Sequence, residues 1–138
     1  MIRRAIFDTG PLVALVTKNH EYHEWVANEW KQLKPPVFTC ESVLTETAFL
    51  LIRERKDPDP IFELVDRGLL RIEVRVDKEI ANLRALMRRY RNRPMSLADA
   101  CLVRLSELNA NGSVFTFDSD FRVYRRFGNK VIPLLMPD

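Results

Sequence analysis

A parallel α/β fold, with helices covering both faces of the sheet, is the class this 138-residue sequence predicts. Two observations carry it. Short apolar runs of strand type alternate along the chain with longer stretches in which apolar residues recur at helical spacing. The punctuation between them (Pro, Gly, Asp, Ser) falls where one kind of stretch gives way to the other. No internal repeat, low-complexity segment or linker interrupts the alternation, so residues 1–138 read as a single domain.

The elements follow in order. Arg4 to Phe7 is a short strand, and Thr9-Gly10-Pro11 opens a helix, with Pro11 suited to a first turn. Tyr22, Trp25, Val26, Trp30 and Leu33 place a second helix over His20 to Leu33. Pro35-Pro36 ends that pattern. Val37 to Thr39 is a strand, and an apolar helix runs from Glu41 to Arg53. Asp57-Pro58-Asp59-Pro60 marks a loop and a helix start, ending near Gly68. Leu70 to Val74 alternates apolar and charged residues as an edge strand does. Asp77 caps a helix to Tyr90, with Ile80, Leu83, Leu86 and Met87 on one face. Ser96 starts the next helix, which ends between Asn109 and Gly112. Val114 to Phe117 is a buried-type strand, Asp118 begins a short helix to Arg126, and Val131-Ile132 is the last strand.

Composition excludes several classes. A hydrophobic fraction of 46% beside 30% charged residues is that of an ordinary globular chain, which sets disorder aside. No apolar run approaches the roughly 20 residues needed to cross a bilayer. The opening MIRRAIFDTG is no signal peptide, so a cytoplasmic protein is expected. Cys40 and Cys101 have no metal-type spacing and read as reduced, packed thiols. A net charge of +3 permits a polyanionic partner without demanding one. No Ser/His/Asp, Cys/His or Gly-rich phosphate-loop pattern stands out. His20 and His23 read as surface or partly packed residues of their helix.

Four acids fall where the chain changes structure: Asp8 in IFDTG, Glu46 in VLTETAFLL, Asp99 in SLADACL and Asp118 in FTFDSDF. Asp8 and Asp118 directly follow strands, and ligands of open parallel sheets bind beyond the carboxyl ends of strands. Each acid also has a plainer reading. Asp8 and Asp118 can cap the helices they precede. Asp99 completes the Ser96-Leu97-Ala98-Asp99 capping box and complements the helix dipole. Glu46 has no basic neighbour one turn on and sits among Val43, Leu44, Ala48, Phe49 and Leu50. Capping explains three acids separately, whereas a shared cation explains all four together. Oxygen-only ligands suit Mg²⁺ or Mn²⁺ rather than Zn²⁺, and such a centre can hydrolyse a phosphodiester.

These four motifs, in this order, resemble the PIN domain, in particular the small single-domain toxins of VapC type. The resemblance spans nearly the whole chain. It implies a three-layer α/β/α sandwich with a mostly parallel central sheet. It implies a divalent-metal-dependent endoribonuclease, the toxin of a type II toxin–antitoxin pair, with Mg²⁺ or Mn²⁺ as cofactor. It implies Asp8, Glu46, Asp99 and Asp118 as the catalytic, metal-holding quartet, with Asp120 as an additional acid, and Thr9, Ser96 and Thr116 as supporting hydroxyls. Its partners would be RNA, a small antitoxin protein and a second copy in a homodimer. The alternatives are a non-catalytic module that binds RNA or a protein, which does not need clustered acids, and a DNA structure-specific nuclease, for which the chain lacks a long arch-forming insertion.

The stretch from Ala81 to Ala98 holds no acid but carries Arg84, Arg88, Arg89, Arg91 and Arg93. Arg84, Arg88 and Arg91 share a helical face. They are either a solvated face or a phosphate-contacting rim that leads RNA toward the acids. For a protein partner, the Tyr22–Trp25–Trp30 helix and the apolar Glu41 to Arg53 helix are candidate docking surfaces.

Overall fold

The computed structural model describes residues 4–138. Strands β1 (Arg4–Phe7), β2 (Val37–Thr39), β3 (Leu70–Ile72), β4 (Gly112–Phe115) and β7 (Leu134–Leu135) form one sheet in the order β3-β2-β1-β4-β7. Every pairing in it is parallel, with Phe7 opposite Phe115 and Thr39 opposite Ile72. Parallel strands need crossovers, and six helices supply or flank them: α1 (Thr9–Val16), α2 (His23–Trp30), α3 (Glu41–Arg53), α4 (Asp59–Asp66), α5 (Val76–Arg89) and α6 (Leu97–Leu108). Helix α1 packs on α2, α3 and α4, whereas α5 packs on α6, which lies against β1 and β4. The result is the expected three-layer α/β/α sandwich.

The chain moves outward from β1 through β2 to β3, then returns to place β4 on the other side of β1. Strand order therefore reverses at β1 and β4, the point where sheets of this kind open a crevice at their carboxyl ends. The sheet's middle is wholly apolar: Ala5, Ile6, Phe7, Val114 and Phe115 are fully buried. Phe7 and Phe115 touch across the ladder with ring centroids 4.7 Å apart. Burying side chains of this size contributes about 1.5–3 kcal/mol each. Helix α6 buries Ala98, Ala100, Cys101, Leu102, Val103 and Leu105, nearly all of one side and part of the next, because it lies under the sheet's centre. The thiols of Cys40 and Cys101 are free and buried, as expected.

Four expectations change. Asp77 does not cap α5: Arg75 is the capping residue, and Asp77 sits in the first turn, ion-paired to Arg75 at 2.8 Å. The helix expected from Asp118 to Arg126 is only a 3₁₀ turn over Ser119–Arg122. It stops because β5 (Arg125–Arg126) and β6 (Lys130–Val131) form a separate antiparallel ribbon. Phe127 and Gly128 turn that ribbon in the left-handed region, at φ 51° and 83°, which glycine favours. Val131 is consequently 64% exposed, and the sheet's last strand is Leu134–Leu135 rather than Val131-Ile132. Finally, Trp25 and Trp30 are not a free docking surface. They pack edge-on against Phe115 and Phe7, at 5.4 and 5.8 Å between centroids.

Candidate active site

Each of the four acids is set by a different element, and all four line one open cavity of about 580 Å³. Asp8 follows β1 and caps α1: its Oδ1 accepts the Thr9 N–H at 2.7 Å. Its own N–H donates to the Phe115 carbonyl at 2.9 Å, which extends the β1–β4 ladder one residue beyond the strand. Asp118 follows β4 and caps the 3₁₀ turn, its Oδ1 accepting from the Asp120 N–H at 2.9 Å. Asp99 occupies the first turn of α6, where the Ser96 hydroxyl accepts its N–H at 3.0 Å. Glu46 reaches in from α3. The capping readings and the convergence of the acids are therefore both true of the same residues.

A shell of hydroxyls fixes the carboxylates. Thr116, fully buried, donates to Asp8 Oδ2 at 2.7 Å and accepts the Asp118 N–H at 2.9 Å, tying two of the acids together. Thr9 donates to Glu46 Oε2 at 3.1 Å. Tyr124, also fully buried, donates its phenol to Asp99 Oδ2 at 2.9 Å. Tyr124 was not read as a site residue. Nothing beside Tyr124 in the sequence names its partner: a buried tyrosine needs one for its hydroxyl, and Asp99 lies 25 residues away.

Burial of these acids is uneven. Asp8 and Asp99 are half-buried, whereas Glu46 and Asp118 are exposed. The desolvation argument for clustered carboxylates thus holds for the first two alone. Helix α3 buries only Val43, Thr47 and Leu51, a stripe with one residue every four that leaves Glu46, Phe49 and Ile52 pointing outward. Burial raises the Asp8 carboxyl from 3.8 to about 6, against the lowering pull of its Thr116 and Thr9 hydrogen bonds, with repulsion from Asp99 and Asp118 adding to the rise. Burial also raises the Asp99 carboxyl, with the Tyr124 and Ser96 bonds opposing it and Asp118 repelling it. Among the described residues, none of the four cavity acids has a basic side chain within ion-pair distance.

Asp120 behaves differently. It pairs with Arg93 at 2.7 Å and does not line the cavity. Arg84, Arg88 and Arg91 also lie elsewhere, around an apolar groove of about 330 Å³ floored by Leu83, Met87 and Leu97. His23 is held by its ring nitrogen against the Ala14 carbonyl at 2.8 Å, whereas His20 lines the acid cavity.

The donor set fits a hard divalent cation. All of its charged donors are oxygens, they repel one another, and they lack a counter-charge. Among the described residues no three His, Cys, Asp or Glu side chains stand close enough together to hold a metal ion by themselves, so a cation here would be held partly through water, as Mg²⁺ commonly is.

Comparison with known proteins agrees with this geometry. No curated protein sequence matches the chain. Among solved structures, the crystal structure of VapC20 from Mycobacterium tuberculosis, a sarcin–ricin loop cleaving toxin, superposes with a TM-score of 0.72 at 25% identity, covering 86% of this chain and 93% of that one. The family model of the PIN domain matches residues 5–126, which reaches from β1 past Asp118 to the start of the antiparallel ribbon. The chain belongs to the PIN domain family.

Proposed function

We propose that this protein is a divalent-metal-dependent endoribonuclease, acting as one domain over residues 1–138 and serving as the toxin of a toxin–antitoxin pair inside the cell. The observation that carries the reading is the set of four carboxylates, from four separate elements, lining one cavity with no basic partner. A non-catalytic binding module has no use for that repulsion. The similarity to a toxin that cleaves the sarcin–ricin loop supports RNA as the substrate class.

Asp8, Asp99 and Asp118 would hold Mg²⁺ or Mn²⁺, with Glu46 ligating directly or through water. The cation supplies charge neutralisation at the scissile phosphate and activation of the attacking water. The chain's own part is positioning. Thr116 and the Thr9 N–H fix both oxygens of Asp8, and Tyr124 fixes one oxygen of Asp99, so the ligands do not reorganise when substrate arrives. Arg84 and Arg88 on α5, with Arg91 just past its end, gather positive charge around one groove, and that charge would counter the repulsion between RNA and the acids. Arg93 neutralises Asp120 and so limits the negative charge on the rim.

An antitoxin that inserts an Arg or Lys among the acids would replace the cation by ion pairing. Phe49 and Ile52, about 60% exposed on α3 beside Glu46, are suited to seat it or a second copy. The direct test is cleavage of RNA by purified protein: activity in Mg²⁺ or Mn²⁺ that disappears with EDTA and returns when metal is added back. Activity undiminished in EDTA would overturn the reading.

Tyr124→Phe tests the positioning shell. The phenol bond lowers the Asp99 pKa, so its loss lets burial raise that carboxyl further. The acid limb of the pH–rate profile moves to higher pH, while the rate on the alkaline plateau changes much less. An unchanged acid limb would show that Tyr124 only packs.

A further inference from the structure

The cavity that holds the acids is lined by aromatic rings as well. Phe117 and His20 both line it, with ring centroids 6.0 Å apart and planes within 26° of parallel. Tyr22 backs Phe117 at 4.9 Å. All three are half-buried rather than sealed into the core. The rings are held in place. Gly10 lets Phe117 lie directly on α1, because a Cβ there would come within 2.7 Å of the Phe117 ring. His20 Nδ1 accepts the Tyr22 N–H at 3.0 Å, which fixes the imidazole's orientation and leaves Nε2 as its free polar atom.

Resting on the ribonuclease reading above, we propose that Phe117 and His20 form a base-stacking platform that holds an unpaired nucleobase next to the scissile phosphate. The chemistry is that of single-strand binding: a base stacks on an aromatic face and its phosphate runs on toward the charged site. Phe117 is one residue from Asp118, so a base on its ring has its backbone within reach of the acids. A duplex keeps its bases stacked inside and cannot use the platform.

The test is binding of a fluorescein-labelled single-stranded RNA of about ten nucleotides, and of a fully paired duplex, read by anisotropy in EDTA, where no cleavage occurs. Cleavage of the single strand in Mn²⁺ is measured beside it. Phe117→Leu keeps apolar bulk over Gly10 but removes the π face. His20→Ala removes the second ring at the cavity's edge, and His20→Phe restores a ring face without the imidazole. Phe117→Leu and His20→Ala each weaken single-strand binding about tenfold, duplex binding does not change, and His20→Phe recovers most of the loss. If the rings merely complete the core, Phe117→Leu lowers the melting temperature and leaves the ratio of single-strand to duplex affinity unchanged, which overturns the platform. Wild-type protein that does not bind the single strand overturns it as well. Protein that binds through the rings yet cuts nothing in Mn²⁺ or Mg²⁺ keeps the platform and sinks the nuclease reading instead.

Discussion

Asp8→Asn and Asp99→Asn each reduce RNA cleavage by on the order of 10²-fold or more, while the folded protein keeps its circular dichroism spectrum. Asparagine keeps the size of aspartate and one accepting oxygen, so the capping bonds from Thr9 or Tyr124 have a surviving partner. The charge that would hold a cation is lost. The loss is expected in kcat, because the metal acts on the reacting phosphate and not on the remote parts of the RNA. The two variants differ in what a null result means. Folded Asp99→Asn that cleaves at the wild-type rate would reduce Asp99 to a helix-capping residue of α6, the plainer reading of its Ser96 box. The same result for Asp8→Asn would remove the residue that ties β1, Thr116 and the cavity together, and with it the proposed centre.

The second large effect is on stability, and its sign runs opposite to that on activity. In the metal-free protein the Asp8 carboxyl stands at about 6 against an ordinary 3.8, chiefly because burial penalises its charge. Below about pH 3.8 both folded and unfolded chains hold the proton, and the contribution to stability is fully present. Between 3.8 and 6 the unfolded chain releases its proton first, so stability falls as pH rises. Above 6 the penalty is constant, at about 2–3 kcal/mol before discounting for the solvent that reaches a half-buried group. Asp8→Asn removes that penalty. In EDTA at pH 7 the variant should melt about 5–10 °C above wild type, and the advantage should shrink toward pH 4. A melting difference that stays the same from pH 4 to pH 7 would show that the Asp8 charge is not strained in the fold. On the proposed reading, the protein keeps a destabilising charge where its chemistry needs one, and a cation that binds the folded state would offset the penalty by mass action.

The parts of this site that were legible in the sequence share one property: they are local. Asp8 and Asp118 were placed at one rim because each follows a strand, although β4 stops at Phe115 rather than Phe117 and Asp118 comes after Thr116 and Phe117, and the ends of parallel strands all open to one side. Strand β2 and helix α3 were bounded correctly because Pro35-Pro36, Val37-Phe38-Thr39 and the apolar run after Cys40 each signal themselves. The α6 cap was readable in Ser96-Leu97-Ala98-Asp99. What escaped depends on partners far away along the chain. Tyr124 meets Asp99 across 25 residues, and Arg93 meets Asp120 across 27. His20 enters the acid cavity only because the turn before α2 folds it back over Phe117. Glu46 was read as buried among apolar neighbours, but only one stripe of α3 faces the core, and composition does not give the phase of a helix. Val131 was read as the last strand since it is β-branched; the antiparallel ribbon places it in solvent and leaves the sheet edge to Leu134–Leu135. Arg84 and Arg88 lie on α5 but Arg91 falls past its last residue, Arg89; all three meet around an apolar groove that was invisible, because Leu97 comes from the next helix.

Titration calorimetry of Mn²⁺ into the wild-type protein at pH 7, repeated with the Asp8→Asn/Asp118→Asn double variant, tests the central claim most directly. It asks whether four carboxylates without a basic partner are a cation site, independently of any RNA substrate. Saturable binding to wild type, lost in the double variant, is the predicted result. No saturable binding to wild type, or equal binding to the double variant, would contradict it.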